Sequence, residues 1–209
     1  MSCNSESKPR GQGFESIELA GQKVRLRPTN AADAPVAWKL IHHNHDILKW
    51  LCWSGPECLD DLVETYADRW PRQMREGEKY SFAIEEIDNP GLFIGAADAR
   101  ILLNPRQMEI GYWLGKPYWG KGYATEVLAL ICYLCFERLG AEVLTAGAFV
   151  GNASSRHVQE KNGFQFEGTL RRHFFKEGKW IDLWHTSLLR EEWKRGNFKP
   201  SFEKLVPVR

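Results

Sequence analysis

The residues best suited to chemistry lie in one stretch, 110–125, where an apolar strand leads into a glycine- and lysine-rich turn and then an amphipathic helix. The first N–H groups of such a helix have no partner within it, and the positive end of the helix dipole adds to them, so they form a site for phosphate. Gly120 and Gly122 let a ligand approach the backbone closely, and Lys121 adds a positive charge. The pattern therefore predicts a loop that binds a phosphate-bearing cofactor.

Two common phosphate-binding patterns do not fit this loop. A P-loop requires Ser or Thr after its Gly-Lys pair, whereas the three Gly-Lys pairs here precede Pro117, Gly122 and Trp180. A dinucleotide fingerprint requires a third glycine where Thr125 stands, and Glu142 precedes its strand instead of ending it. A tight turn that only caps its helix is an open alternative, although Gly-Lys-Gly exceeds what such a turn requires.

Composition indicates one ordinary globular domain. The 209 residues are 43% hydrophobic and 26% charged, with a formal net charge of +1. This charge gives no general attraction to nucleic acid or to an anionic membrane, and no apolar run is long enough to span a bilayer. We expect a disordered tail over 1–14 and a single domain over 15–209. The five cysteines are odd in number and scattered, which favours a reducing, cytoplasmic compartment.

Hydrophobic periodicity predicts a mixed α/β fold with helices on both faces of a sheet, in the element order β-α-α-β-β-β-α-β-α-β-β. The long helix after the phosphate loop is expected over 123–139, and Asn152 caps a short helix over 153–162. Cys132 and Cys135 fall inside the long helix, so we interpret them as buried thiols and not as a metal or redox pair. The expected strands are 23–27, 80–86, 92–102, 108–114, 142–150, a short segment near 164–166 with a bend to 174–175, and 180–189.

Three motifs in matching order and spacing resemble the GNAT superfamily of acyl-CoA N-acyltransferases over about 24–193. The loop resembles the family pattern Gln/Arg-x-x-Gly-x-Gly/Ala at Gly122 and Ala124, with Trp119 in the Gln/Arg position. The other two motifs are Gly151-Asn-Ala-Ser-Ser-Arg156 followed by Glu160-Lys-Asn-Gly-Phe164, and Phe166-Glu-Gly168 leading to Gly178-Lys-Trp-Ile-Asp182. The similarity is greatest to the subgroup that acts on ribosomal-protein N-termini and related amines.

The resemblance implies the acyl-CoA N-acyltransferase fold, a largely antiparallel mixed sheet that is splayed between its fourth and fifth strands. Acetyl-CoA would be the cosubstrate, with its pantetheine arm in the splay and its diphosphate on the loop. The implied cofactor-binding residues are Tyr112, Trp113, Leu114, Gly120, Lys121, Gly122, Tyr123, Ala124, Thr125, Asn152 and Lys161.

Transfer to an amine requires a neutral nucleophile, and an α-amine with a pKa of about 8 needs little help to lose its proton. A carboxylate would suffice as base, and Glu109 and Glu167 are the candidates, with Glu167 supported by the subgroup motif. A backbone N–H of the strand over 109–112 would meet the oxyanion. The resemblance implies that Ser155 protonates the leaving thiolate, with Tyr112 as the alternative.

The expected activity is acetyl-CoA-dependent transfer to a primary amine, including a protein N-terminal α-amine, by direct attack in a ternary complex. Two alternatives are open: acetylation of a small-molecule amine or antibiotic, and a non-catalytic acyl-CoA-binding module. Three histidines over 42–45 fit no common zinc spacing, and we expect no metal. Trp50 and Trp53 form either a substrate wall or part of the core. The acceptor is not identified by the sequence, and a homodimer is suggested by the subgroup alone.

Overall fold

The computed structural model describes residues 10–102, 104–193 and 198–208, whose strands form one nine-stranded sheet. In chain order the strands are β1 Phe14–Ala20, β2 Val24–Arg27, β3 Lys79–Glu86, β4 Asn89–Ile101, β5 Gln107–Leu114, β6 Val143–Phe149, β7 Gln165–Lys176, β8 Lys179–Leu189 and β9 Phe202–Pro207. Their order across the sheet is β7-β8-β6-β5-β4-β3-β2-β1-β9. Neighbours pair antiparallel except β5 and β6, which are parallel.

The helices occupy the connections between these strands. They are α1 Asp33–Ile41, α2 His45–Leu48, α3 Leu59–Glu64, α4 Trp70–Arg75, α5 Tyr123–Tyr133, α6 Ala153–Lys161 and α7 Arg190–Trp193. A π-helical segment, Thr65–Arg69, joins α3 to α4, and a second one, Leu134–Arg138, extends α5. Among the described residues, no helix is both long and apolar enough to cross a bilayer.

Helices cover both faces of the sheet, as the periodicity predicted. On one face, α1 and α3 pack against β3 and β4 through a cluster made of Ala34, Ala37, Leu62, Tyr66, Ala83, Phe93 and Ala96. On the other face, α5 lies in the larger core, and it is buried on nearly its whole circumference over 127–136. The helix predicted over 123–139 is formed by α5 and its π-helical extension, and Cys132 and Cys135 are fully buried as expected.

The sheet has more strands than the sequence predicted. The two missed strands, β1 and β9, pair with each other at one edge, and β9 is largely exposed, so its hydrophobic pattern is weak. The predicted bend between 166 and 174 lies within one continuous strand, β7, whose register to β8 shifts twice there. Residues 1–9 of the predicted tail lie outside the described residues, whereas Phe14 is buried and begins β1.

Candidate active site

The predicted phosphate loop lies between β5 and α5. Gly120 and Gly122 adopt φ angles of 76° and 81°, a left-handed conformation that favours glycine. Gly122 is the N-cap of α5, and the first helical hydrogen bond runs from the Glu126 N–H to the Gly122 carbonyl at 3.3 Å. The N–H groups of residues 123–125 precede that bond, so they are the unpaired donors that a helix N-terminus offers to an anion.

The β1–β2 hairpin holds the first turn of α5 in place through hydrogen bonds to Glu126. The Glu126 carboxylate accepts the backbone N–H groups of Gln22, Lys23 and Val24, each at 2.8 Å. Lys23 Nζ also donates to the Lys121 carbonyl at 3.2 Å. The loop is therefore held in place before any ligand arrives, which reduces the entropy that binding must overcome.

Beyond this loop, β5 and β6 separate. Their parallel pairing runs from Gln107–Val143 to Ile110–Ala146 and then stops, while β5 stays paired with β4 and β6 with β8. The Gly115 N–H donates to the Ile94 carbonyl on the β4 side, and the antiparallel ladder alternates, so the polar backbone groups of Tyr112 and Leu114 point toward the gap. The predicted splay is confirmed; its strands are the fifth and sixth because β1 precedes the predicted first strand.

One of these backbone groups is already occupied. The Trp119 indole Nε1 donates to the Leu114 carbonyl at 2.8 Å. Trp119 is the residue that stands in the Gln/Arg position of the loop motif. Its indole therefore has a structural role, because it binds the end of β5. The groups that remain for pairing with an inserted ligand are the N–H and C=O of Tyr112 and the N–H of Leu114.

A cavity of about 1040 Å³ connects the phosphate loop, the splay and the face of the sheet that carries α1. Of the predicted cofactor-binding residues, all but Lys121 line it: Tyr112, Trp113, Leu114, Gly120, Gly122, Tyr123, Ala124, Thr125, Asn152 and Lys161. Lys121 instead places its ammonium group 3.6 Å from the Glu86 carboxylate and near the rings of Tyr118 and Tyr123. We call the part of the cavity at the phosphate loop and the splay the cofactor half, and the part on the α1 face, lined by Trp50, Trp53, Tyr66, Trp70 and Asp98, the acceptor half.

Ser155 and Tyr112, the two candidates for protonating the thiolate, form a single unit. Asn152 caps α6 by accepting the Ser155 N–H at 3.1 Å, which fixes the start of the helix. The Tyr112 hydroxyl lies 3.1 Å from Ser155 Oγ and also donates to the Ser155 carbonyl at 3.3 Å. Burial raises the pKa of Tyr112 to about 12, so its phenol keeps its proton at neutral pH.

The two carboxylates singled out as bases differ in their access to the cavity. Glu109 lines the acceptor half, where Arg100 Nε donates to its Oε2 at 2.7 Å. Glu167 lies at the first register shift of β7, exposed, and accepts a hydrogen bond from the Ser187 hydroxyl. It is not among the residues that line the cavity, so the structure separates Glu167 from the other candidates.

The acceptor half is walled by the loop after α2. Trp50 and Trp53 line it, whereas His42 stacks on Trp38 at 3.7 Å and takes no part in the lining. Within the described ranges, no three His, Cys, Asp or Glu side chains are grouped as a metal site would require.

Two charged residues near the acceptor half, the half-buried Asp98 and the buried Lys176, were missed by the sequence analysis. Asp98 on β4 lines the cavity and pairs with Lys79. Lys176, 7% exposed, donates to the carbonyls of Leu48, Leu51 and Trp53 at 2.6, 3.0 and 2.9 Å. Neither residue belongs to a local motif, and only their tertiary contacts distinguish them from ordinary charged residues in strands.

A gap between two strands suits a chain of amides, and a helix N-terminus at the end of that gap suits a diphosphate. Coenzyme A combines both groups, with a thioester carried at the far end of the amide chain. The fold and the site therefore define an acyl-CoA-dependent acyltransferase.

A family model described as "Acetyltransferase (GNAT) domain" matches residues 23–165. The chain belongs to the GNAT family of acetyltransferases, and it is an acetyl-CoA-dependent N-acetyltransferase.

Individual relatives agree with this assignment. YdaF of Bacillus subtilis, whose name provisionally describes a ribosomal N-acetyltransferase, is 32% identical over 180 residues, which cover 83% of this chain and 94% of YdaF. A crystal structure of a protein described as a probable acetyltransferase has a TM-score of 0.75 and 31% identity, covering 83% of this chain and 96% of its own. The structure of RimJ from Mycobacterium smegmatis in complex with CoA-disulfide has a TM-score of 0.73 and 25% identity, and the match covers 87% of this chain and 91% of RimJ. The predicted subgroup is confirmed.

Proposed function

We propose that this enzyme acetylates a protein N-terminal α-amine by direct attack on acetyl-CoA in a ternary complex. The observation that carries the proposal is the continuity of the cavity from the phosphate loop through the splay to the acceptor face. Both substrates can occupy such a cavity at once, so no acyl-enzyme intermediate is required. The name of YdaF, which describes a ribosomal N-acetyltransferase, supports a ribosomal protein as the acceptor.

We assign the cofactor half as follows. The N–H groups over 121–125 bind the diphosphate, and the Tyr112 C=O and the Leu114 N–H pair with the pantetheine amides. Asn152 faces the pantetheine from the α6 wall, and Lys161 lies at the nucleotide end. Gly120 and Gly122 keep the loop open, because a side chain at either position would stand between the backbone and the phosphates.

The same arrangement supports the chemistry of transfer. The amine nitrogen attacks the thioester carbon, and the Tyr112 N–H stabilises the negative charge on its oxygen. The C–S bond then breaks, and the hydroxyl pair of Ser155 and Tyr112 delivers a proton to the sulfur. Of the two carboxylates predicted from the sequence, Glu109 is favoured over Glu167 because only Glu109 lines the cavity.

A second acceptor class is favoured by one observation. Four aromatic side chains, Trp50, Trp53, Tyr66 and Trp70, line the acceptor half. Aromatic walls enclose flat or cationic small molecules well, so a small-molecule amine is the alternative acceptor. Membership of the family supports an enzyme and not a non-catalytic acyl-CoA-binding module.

The two acceptor classes are separated by thiol release from acetyl-CoA with a panel of amines. We expect turnover with short peptides that have a free N-terminus and none with the same peptides acetylated at the N-terminus. Peptides that carry only a free lysine side chain are the matched control for amine basicity. Turnover confined to aminoglycosides or other small amines would replace the protein acceptor by the alternative.

A further inference from the structure

Asp98 lies on β4 directly opposite the residue of β5 at which β5 and β6 begin to separate. It pairs with Gly111 in the β4–β5 ladder, whereas Arg100 pairs with Glu109. Directly opposed residues of a ladder place their side chains on the same face, here the face that carries α1. Pairing of β5 with β6 ends at Ile110, so Gly111 is the first residue of β5 beyond the paired region. Glu109 lies before that point, where β5 is still paired through Thr145.

The space between Asp98 and the gap is open because Gly111 has no side chain. A Cβ added at Gly111 would lie 3.8 Å from both carboxylate oxygens of Asp98. Asp98 and Gly111 both line the cavity. The carboxylate therefore faces the gap across bare backbone, and an acceptor nitrogen can lie between it and a thioester.

The Asp98 carboxylate is paired at only one of its two oxygens. Lys79 Nζ lies 3.2 Å from Oδ2, while Oδ1 receives no hydrogen bond from the residues that the structure describes. Burial raises the pKa of the Asp98 carboxyl group, and the negative charge of Glu109 raises it further. The positive charges of Lys79 and Arg100 act in the opposite direction, but the pKa of Asp98 is raised overall. The hydroxyl of Ser81, opposite Asp98 on β3, is buried and lacks a partner among the described residues. A raised pKa makes the carboxylate a better proton acceptor near neutral pH.

We propose that Asp98 binds the ammonium group of the acceptor and takes its proton, an inference that rests on the proposed transfer to an amine. One N–H bond of the ammonium breaks and its proton passes to Asp98. The freed electron pair forms the C–N bond as the C–S bond breaks. The second proton leaves the nitrogen and reaches the sulfur through the hydroxyls of Ser155 and Tyr112. The N-acetylated amine, free coenzyme A thiol and protonated Asp98 result, and Asp98 then returns its proton to solvent.

The proposal also names the acceptor class. A carboxylate that meets an ammonium favours a basic aliphatic amine, such as an α-amine, which is mostly protonated at neutral pH. Glu109 is a weaker candidate because it lies where β5 is still paired with β6, and Glu167 is weaker because it lies outside the cavity lining.

The test is Asp98→Asn, assayed with a free-amine tetrapeptide and acetyl-CoA. We expect kcat/KM for the peptide to fall by about tenfold or more, since a charge-assisted hydrogen bond is lost. Coenzyme A affinity, measured by calorimetry, stays unchanged. The loss of activity is larger at about pH 7 than at about pH 9, because at the higher pH most of the amine is already neutral and needs no base. Asp60→Asn, the same change at an exposed position on α3, is the matched control and keeps wild-type activity.

Two further variants test whether Asp98→Asn loses activity only because Lys79 is left without its carboxylate partner. Asp98→Glu keeps the charge and should retain part of the activity, because Gly111 leaves room for the longer side chain. Lys79→Gln/Asp98→Asn removes both partners and should remain as defective as Asp98→Asn. Wild-type rates in Asp98→Asn, or recovery in the double variant, would overturn the role of Asp98 and leave the proposed function standing. A wild-type enzyme that releases thiol with no amine at all would remove both.

Discussion

At the scale of single residues, the hydroxyls of Ser155 and Tyr112 are in contact because the two residues come from facing walls of the splay. Tyr112 belongs to β5, Ser155 to α6, and their oxygens lie 3.1 Å apart. Burial keeps Tyr112 protonated by raising its pKa to about 12, so a proton is always present in the pair. Sequence reasoning treated the two as alternatives, since neither motif shows that the other residue lies opposite.

Ser155→Ala and Tyr112→Phe should each lower kcat, by about tenfold to a hundredfold, with little effect on coenzyme A affinity. The double variant should be scarcely worse than the single variants, because the two hydroxyls serve one proton transfer. Steady-state kinetics on the wild type, the two single variants and the double variant measures this. Multiplicative losses in the double variant would show that the hydroxyls act separately.

At the scale of elements, the wall of the acceptor half depends on the β7–β8 hairpin. The ammonium group of Lys176, at the end of β7, binds the carbonyls of Leu48, Leu51 and Trp53 and so fastens the loop that carries Trp50. Such a contact joins residues as many as 128 positions apart, and no local pattern encodes it. The phosphate loop, in contrast, was predictable because its glycines, its lysine and its helix are contiguous.

Lys176→Met should raise the KM for the acceptor several-fold while leaving coenzyme A affinity unchanged, because the loop loses its attachment. It should also lower the free energy of unfolding by about 1–3 kcal/mol, since three carbonyls lose a charged donor. Lys179→Met is the matched control: Lys179 pairs with Lys176 across the same turn but is exposed. Equal kinetics for both variants would mean that Lys176 supports the fold without setting the acceptor site.

At the scale of the whole molecule, the site follows from topology. Parallel neighbours require a crossover connection, and β5 and β6 are the parallel pair among the described strands. Their crossover contains α5, so the N-terminus of α5 lies at the end of β5 where the strands separate. The sequence predicted this relation because the strand, loop and helix are consecutive. It missed β1 and β9, of which β9 lies at the edge of the sheet and is largely exposed, so that its hydrophobic pattern is weak. The cytoplasmic compartment and the homodimer stay predictions.

The central claim is that the backbone at the start of α5 binds the diphosphate of coenzyme A, and titration calorimetry of three proteins tests it most directly. Gly122→Glu places a negative side chain at the N-cap, and Gly140→Glu makes the same change at the other end of the same helix, where φ is 71° and space is open. We predict that Gly122→Glu weakens binding by about a hundredfold or more, roughly 2.7 kcal/mol, whereas Gly140→Glu binds like wild type. No heat with the wild-type protein, or undiminished affinity in Gly122→Glu, would contradict the account.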